Sequence, residues 1–418
     1  MDGRRQVTTM ALALLVVLAG CGGAGGPATD ATETTEPTTH STDATEQTNE
    51  TSTDVTTETT TERSGRESVE VTGGNLSVDQ TEVFWRVQEL LDTDVRPRPV
   101  EVRNLTERKE YAPGRLPVLR YLGVENVTLD PDEPGGLATP DGKVYVHPGD
   151  GSSAEVERVL AHEFVHLIQY RASMLPWMSA IDQPRLTHDR LQTRLTLMEG
   201  GAVFVTDAYA EQYLDDQDPA ERIADRYEDG SAGAKYFYAR YHFGYRYVDD
   251  EIDSPTNLAS VYEDGPNTTE QLLHGYAPDE EPPADLSVSV NESGTWSTTE
   301  NDTMGELFAR TTLQSELDAE TARGAATGWG NDVLYGFTKG DEDPGFAWTL
   351  RMDSPDEADE LESAATTFAE EREAGSDAAF RVERVDDETV VLLFGNPSFV
   401  ESASASGSNA NVTVGVSE

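Results

Sequence analysis

His162 and His166 stand four residues apart in Ala161-His162-Glu163-Phe164-Val165-His166-Leu167, with an acid directly after the first of them. On a helix that spacing is close to one turn, about 6 Å of rise, so both imidazoles leave the same face. Two neutral imidazoles placed this way can share one Zn2+ at about 2.0–2.1 Å. Glu163 is placed to take a proton from an attacking water and later to hand it to a leaving amine. The chemistry expected of such a group is metal-assisted hydrolysis of an amide.

Two histidines need a third ligand, with one position left open. A metzincin would carry Gly and His three and six residues after His166, where this chain has Gln169 and Ala172, so that class is excluded. Residues 189–214 instead read as a second apolar helix containing Leu197-Met198-Glu199-Gly200-Gly201-Ala202-Val203. Glu199 would complete a site of two histidines and one carboxylate. Asp207, two turns further on, is the competing ligand or a partner for a ligand histidine. Gly200 and Gly201 each lower helix propensity by up to about 1 kcal/mol. That cost is understandable if this helix must lie close against the one bearing the histidines.

The capping pattern Ser152 to Glu155 opens the first of these helices, with Val156, Val159, Leu160 and Val165 as its apolar positions. Ahead of it, residues 82–91 have helical spacing, while 100–102, 118–122 and 143–146 read as short strands. The stretch 152–280 is helix-dominated. Beyond it come a helix over 304–314, strands at 333–337 and 346–350, a helix over 355–372, and strands at 380–382 and 390–394. That last portion reads as a small α+β unit.

Several separated segments together give a resemblance. His162-Glu163-Phe164-Val165-His166-Leu167-Ile168-Gln169, then Glu199-Gly200-Gly201-Ala202, then Thr268-Thr269-Glu270-Gln271-Leu272-Leu273-His274 resemble the marks of a gluzincin-type group of exported metallopeptidase-like proteins. Met304-Gly305-Glu306-Leu307 and Gly328-Trp329-Gly330-Asn331-Asp332 follow as they do in that group, so the similarity covers about 140–340. The resemblance implies His162, His166 and Glu199 as zinc ligands and Glu163 as general base. It also favours His274 as the donor to the developing oxyanion, ahead of Arg240 in the aromatic run Tyr236 to His242. The chain departs from the group at Gly201, where an acid is usual, which puts one supporting hydrogen bond in doubt. The implied fold class is α+β, a zincin-like helix-rich metallopeptidase domain over 67–300 with a C-terminal α+β unit over 301–418. Trp329, between glycines, would pack that unit onto the first domain.

The beginning of the chain concerns location. Arg4-Arg5 precede an uncharged apolar run, Met10 to Leu18, too short to span a bilayer. The run ends in Leu18-Ala19-Gly20-Cys21, which resembles a lipoprotein signal, and the paired arginines suggest twin-arginine export. Cys21 is the only cysteine, so disulfides cannot hold the exported protein together. Residues 22–66 form a Thr/Glu-rich stretch whose composition cannot offset the entropy of ordering it, and a disordered tether is expected. Sequons at Asn49, Asn75, Asn104, Asn126, Asn267, Asn291, Asn301 and Asn411 fit an exported glycoprotein.

The chain has 79 acidic against 30 basic residues, a formal charge of −49, which argues against nucleic acid as a partner. Its acidic, lysine-poor composition resembles that of halophilic archaea. The reading is therefore a zinc peptidase at the outer face of the cell, acting on peptides or proteins and held to the membrane by a lipid on Cys21. The competing reading is a non-catalytic surface lipoprotein that binds partners or stabilises the envelope. Self-repulsion at this charge predicts a melting temperature that rises strongly from low to molar KCl. A melting curve indifferent to salt would contradict it.

Overall fold

The structure is a computed structural model that describes residues 66–105, 110–178, 186–215, 217–292 and 294–417. The expected export segment, Cys21 and nearly all of the tether lie outside these residues. Chain direction and pairing build the first sheet from β1 (Val71–Thr72), β2 (Val100–Val102), β5 (Gly135–Ala138) and β6 (Val144–His147), in the order β1-β2-β6-β5. β1, β2 and β6 are parallel, and β5 turns back antiparallel to β6 at the edge. Between these strands come α1 (Gln80–Leu90), the pair β3 (Glu110–Tyr111) and β4 (Val127–Thr128), and α2 (Pro117–Tyr121). Residues 118–122, expected as a strand, are thus largely helical. Pro117 presets the helical φ at the first position, and Gly123 at φ 82° stops the turn.

Among the described residues, α3 (Ser153–Arg171), α4 (His188–Tyr213), α5 (Pro219–Glu228), α6 (Ala232–Glu251), α7 (Leu258–Glu263) and α8 (Thr269–His274) follow. The cap on α3 is reciprocal, as its sequence predicts: Glu155 N–H donates to the Ser152 hydroxyl, and Ser152 N–H donates to the Glu155 carboxylate at 2.8 Å. Thr187 and Ser231 do the first half of the same work at α4 and α6.

The remaining elements are β7 (Ser287–Glu292), β8 (Ser297–Asp302), α9 (Glu306–Leu313), α10 (Ala319–Ala326), β9 (Trp329–Thr338), β10 (Gly345–Met352), α11 (Pro355–Gly375), β11 (Ala379–Asp386), β12 (Thr389–Gly395), α12 (Pro397–Ser402), β13 (Ala403–Ser408) and β14 (Asn411–Val416). They form an antiparallel sheet β11-β12-β10-β9-β8 and a smaller one, β13-β14-β7. The run Thr389 to Gly395 is buried throughout because its sheet is covered on both faces. Val390, Leu392 and Phe394 point into the main core, while Val391 and Leu393 meet Trp296, Phe399 and Val414 on the other side. The chain is an α+β fold. The boundary expected at 300 falls inside β8, and one core runs without a break from Phe84 in α1 to Phe394 in β12. The larger of these sheets is therefore packed into the helical body, the smaller covers its other face, and the strands of this part begin with β7, ahead of residue 300.

Asp332 pins these parts together. Its buried carboxylate accepts from the backbone N–H of Met304 (2.9 Å) and Gly305 (2.9 Å), and from the indole N–H of Trp329 (3.0 Å) and Trp348 (2.8 Å). Trp329, expected to pack the C-terminal unit onto the first domain, has its ring buried and its N–H on this acid. Replacing Asp332 by Ala would strand four buried donors, each worth about 1–3 kcal/mol when unmet. We expect the variant to lose at least about 3 kcal/mol of stability in denaturant titration at molar salt; a loss below about 1 kcal/mol would show that the pin is dispensable.

Candidate metal centre

From Arg158 to Gln169 every residue of α3 is buried, and so is every residue of α4 from Leu195 to Thr206. A helix enclosed all round is a central helix of its domain, and polar side chains on it must find partners inside. The three expected ligands are such side chains. His162 and His166 rings cross at 88°, bringing their Nε2 atoms to 3.2 Å. Glu199 Oε2 from α4 lies 3.1 Å from His166 Nε2 and 3.5 Å from His162 Nε2. All three residues are at most 3 % exposed.

The dimensions of this triangle test whether a metal fits. Three ligand atoms about 2.0–2.1 Å from a tetrahedral ion stand roughly 3.3–3.4 Å apart. The observed edges of 3.2, 3.1 and 3.5 Å bracket that value. The second oxygen of the same carboxylate, Glu199 Oε1, is buried with no hydrogen-bond partner in the protein. Among the described residues this is the group of histidine and acidic side chains whose ligand atoms could hold a metal ion.

Other residues aim the ligands. His166 Nδ1–H donates to Gln169 Oε1 at 2.7 Å, which turns Nε2 and its lone pair toward Glu199. Gln169 Nε2 is in turn spent on Met198 C=O (3.0 Å) and Tyr262 Oη (2.7 Å). Burial disfavours the charged form of His166, but the Glu199 carboxylate prevails and raises the imidazole to about 9. Burial likewise pushes Glu199 up, and the two histidines more than offset it, leaving the carboxyl at about 2. The protein alone thus holds His166 and Glu199 as a buried ion pair. A metal ion binding at Nε2 must displace a proton, so affinity increases as pH rises toward 9.

The glycines after Glu199 serve other neighbours than expected. A Cβ on Gly200 would overlap the backbone of Gly244 in α6, so the close approach is between α4 and α6, not between α4 and α3. A Cβ on Gly201 would overlap the hydroxyl of Tyr262. The side chain absent at Gly201 leaves the room in which Tyr262 reaches Gln169.

Glu163 lies under β5, within electrostatic reach of His166 and Glu199. Thr139 N–H bonds Lys143 C=O at 2.9 Å, so alternate positions Gly136 and Ala138 turn their backbone groups away from β6. The Glu163 carboxylate is hydrogen bonded by the backbone of Ala138, and it lies where a Cβ on Gly136 would stand. Its Oε2 is buried without a partner. Burial pushes this carboxyl up to about 8.

Other expected residues are elsewhere. His274 Nε2 is held by Glu306 at 2.9 Å and its ring stacks on Tyr276, so it does not join the three ligands. Its helix α8 is tied at its first residue, Thr269, to Asp189, ten residues or about 15 Å of rise before Glu199 on α4. Asp207 Oδ1 accepts from Ala220 N–H at 3.1 Å in the first turn of α5 and is not a ligand. Arg240 is buried in α6 with its guanidinium over the Phe237 ring, whereas Tyr241 of the same run reaches the site, 6.4 Å from the His162 ring. Gly136 and Tyr262 carried no signal in the sequence; Gln169 did, as part of the motif.

Residues 294–404 match the family model of a domain of unknown function, DUF8575, a span that excludes all three ligands. No curated protein and no solved structure matches the chain.

Replacing Gln169 by Ala should leave the fold intact and weaken metal binding about 10–100-fold, as loss of a supporting hydrogen bond does. Competition with a chromophoric chelator measures this. Unchanged affinity would mean that His166 needs no help in orientation.

Proposed function

We propose that this chain is a zinc-dependent peptidase of zincin-like fold, tethered at the outer face of the membrane by a lipid on Cys21. The observation that carries the reading is the triangle of His162, His166 and Glu199 with Glu163 on the same helix beneath the edge strand β5. Two imidazoles and one carboxylate suit zinc, with a fourth position left open. Bound zinc supplies Lewis acidity and brings the pKa of a water near 7.

The chain's own residues do the rest. His162, His166 and Glu199 bind, and Gln169 with Tyr262 keeps His166 in its orientation. Glu163, beside the ligands on the same helix, accepts a proton from the attacking water in its ionised form and returns it to the leaving amine nitrogen. β5 pairs with β6 along one edge only, and its other edge has no strand partner among the described residues. An extended peptide adding to that edge would lie across Glu163, with its backbone held by strand-like hydrogen bonds.

Glu163→Gln is the deciding variant. It should keep stoichiometric zinc and lose about 10²–10⁴-fold in peptide hydrolysis in molar salt. Hydrolysis surviving the substitution would reject the role of Glu163, and bound zinc with no hydrolysis of any peptide by the wild type would favour the non-catalytic surface protein.

A further inference from the structure

Beside the candidate metal centre lies a cavity of about 260 Å³, lined by Pro140, Gln169, Tyr170, Ser173, Leu175 and Met178. Among the described residues no charged side chain borders it, in a protein whose formal charge is −49. Two of its lining residues are neighbours of His166: Gln169 bonds that imidazole, and the Tyr170 ring stacks beside it at 6.4 Å. Tyr170 has its hydroxyl turned onto Met198 Sδ at 3.6 Å. The far wall is held firmly. Ser173 sits at φ 56°, where a side chain is rarely found, and Met174 N–H closes the helix onto Gln169 C=O at 3.1 Å. At the rim is Met178, 54 % exposed and, with Leu186, one of two large apolar side chains left in solvent among the described residues.

The direction of the elements says which part of a peptide would arrive there. Gly136 lies over Glu163, and the turn at Gly142 lies over Leu167 and Arg171, so β5 and α3 run the same way. A peptide adding antiparallel to β5 runs against both. Residues that it lays over Pro140 and Tyr170 are then those N-terminal to the bond above Glu163.

We propose that this cavity is a specificity subsite for an apolar side chain, of the size of Leu, Met or Phe, on the N-terminal side of the cleaved bond. The proposal rests on the peptidase reading above and names its substrate class: peptides with a bulky apolar residue before the scissile bond.

The test uses zinc-loaded protein in molar KCl and reads both binding and cleavage. Glu163→Gln is titrated by calorimetry with blocked pentapeptides that differ only at one central residue, Leu, Gly or Asp. Wild-type enzyme is given a peptide library and the new termini are mapped. We expect the Leu peptide to bind at least about tenfold more tightly than the Gly peptide. We also expect apolar residues to be enriched just before the cleaved bonds. Met178→Asp, a change at an exposed position that should leave the melting temperature unaltered, should remove most of both preferences. Equal binding of the three peptides, or a preference indifferent to Met178→Asp, would overturn the subsite while cleavage by the wild type left the peptidase reading standing. No binding by Glu163→Gln and no cleavage by the wild type would overturn both.

Discussion

Burying Glu199 is the constraint around which the molecule is arranged. An isolated carboxylate taken out of water costs several kcal/mol, and so does an unpaired imidazolium. α3 and α4 place these groups together, His166 against Glu199 at 3.1 Å, so that each offsets the other's desolvation. The pair is held in a close-packed interior because both helices are enclosed on all sides over three turns or more. Such a site tolerates little movement, since neighbouring groups would each lose a partner at once.

Helix packing at van der Waals limits keeps it still. α4 can approach α6 only because Gly200 meets Gly244 with no side chain on either. One residue further on, the missing side chain of Gly201 admits the Tyr262 hydroxyl, and Tyr262 completes a chain through Gln169 to His166. The low helix propensity of two adjacent glycines is thus offset by two separate contacts, one with a backbone and one with a hydroxyl.

The larger C-terminal sheet shares the core of this body, and among the described residues the C-terminal sheets supply none of the three ligands. Asp332 gathers four donors from β9, β10 and the segment opening α9, and Asp189 at the head of α4 is bonded by Thr269 N–H (2.9 Å) and its hydroxyl (2.6 Å). His274 belongs to this polar layer, through Glu306. The segments that accompany the histidine motif in sequence are therefore largely structural braces, which explains how His274 could share a pattern with the ligands and stand apart from them.

What the sequence determined by itself was local. The reciprocal cap, the four-residue histidine spacing and the helical period placed α3 and aimed both imidazoles, because those features are set within one or two turns of backbone. Glu199 was legible as the carboxylate of a second apolar helix, although Asp207 on the same helix competed until α5 was seen to need it as a cap. Strand β5 was not legible: Gly135-Gly136-Leu137-Ala138 has no β-branched residue, and Gly136 leaves the space that Glu163 fills above α3. Residues 118–122 were misread because an apolar run of that length fits strand or helix equally well. Tertiary structure alone decided which partners meet across long stretches of chain: Tyr262 with Gln169, 93 residues apart, Gly244 under Gly200, and His274 with Glu306 in place of the metal centre. Those contacts depend on where whole helices cross, and crossing is settled by packing among many side chains that no local pattern encodes.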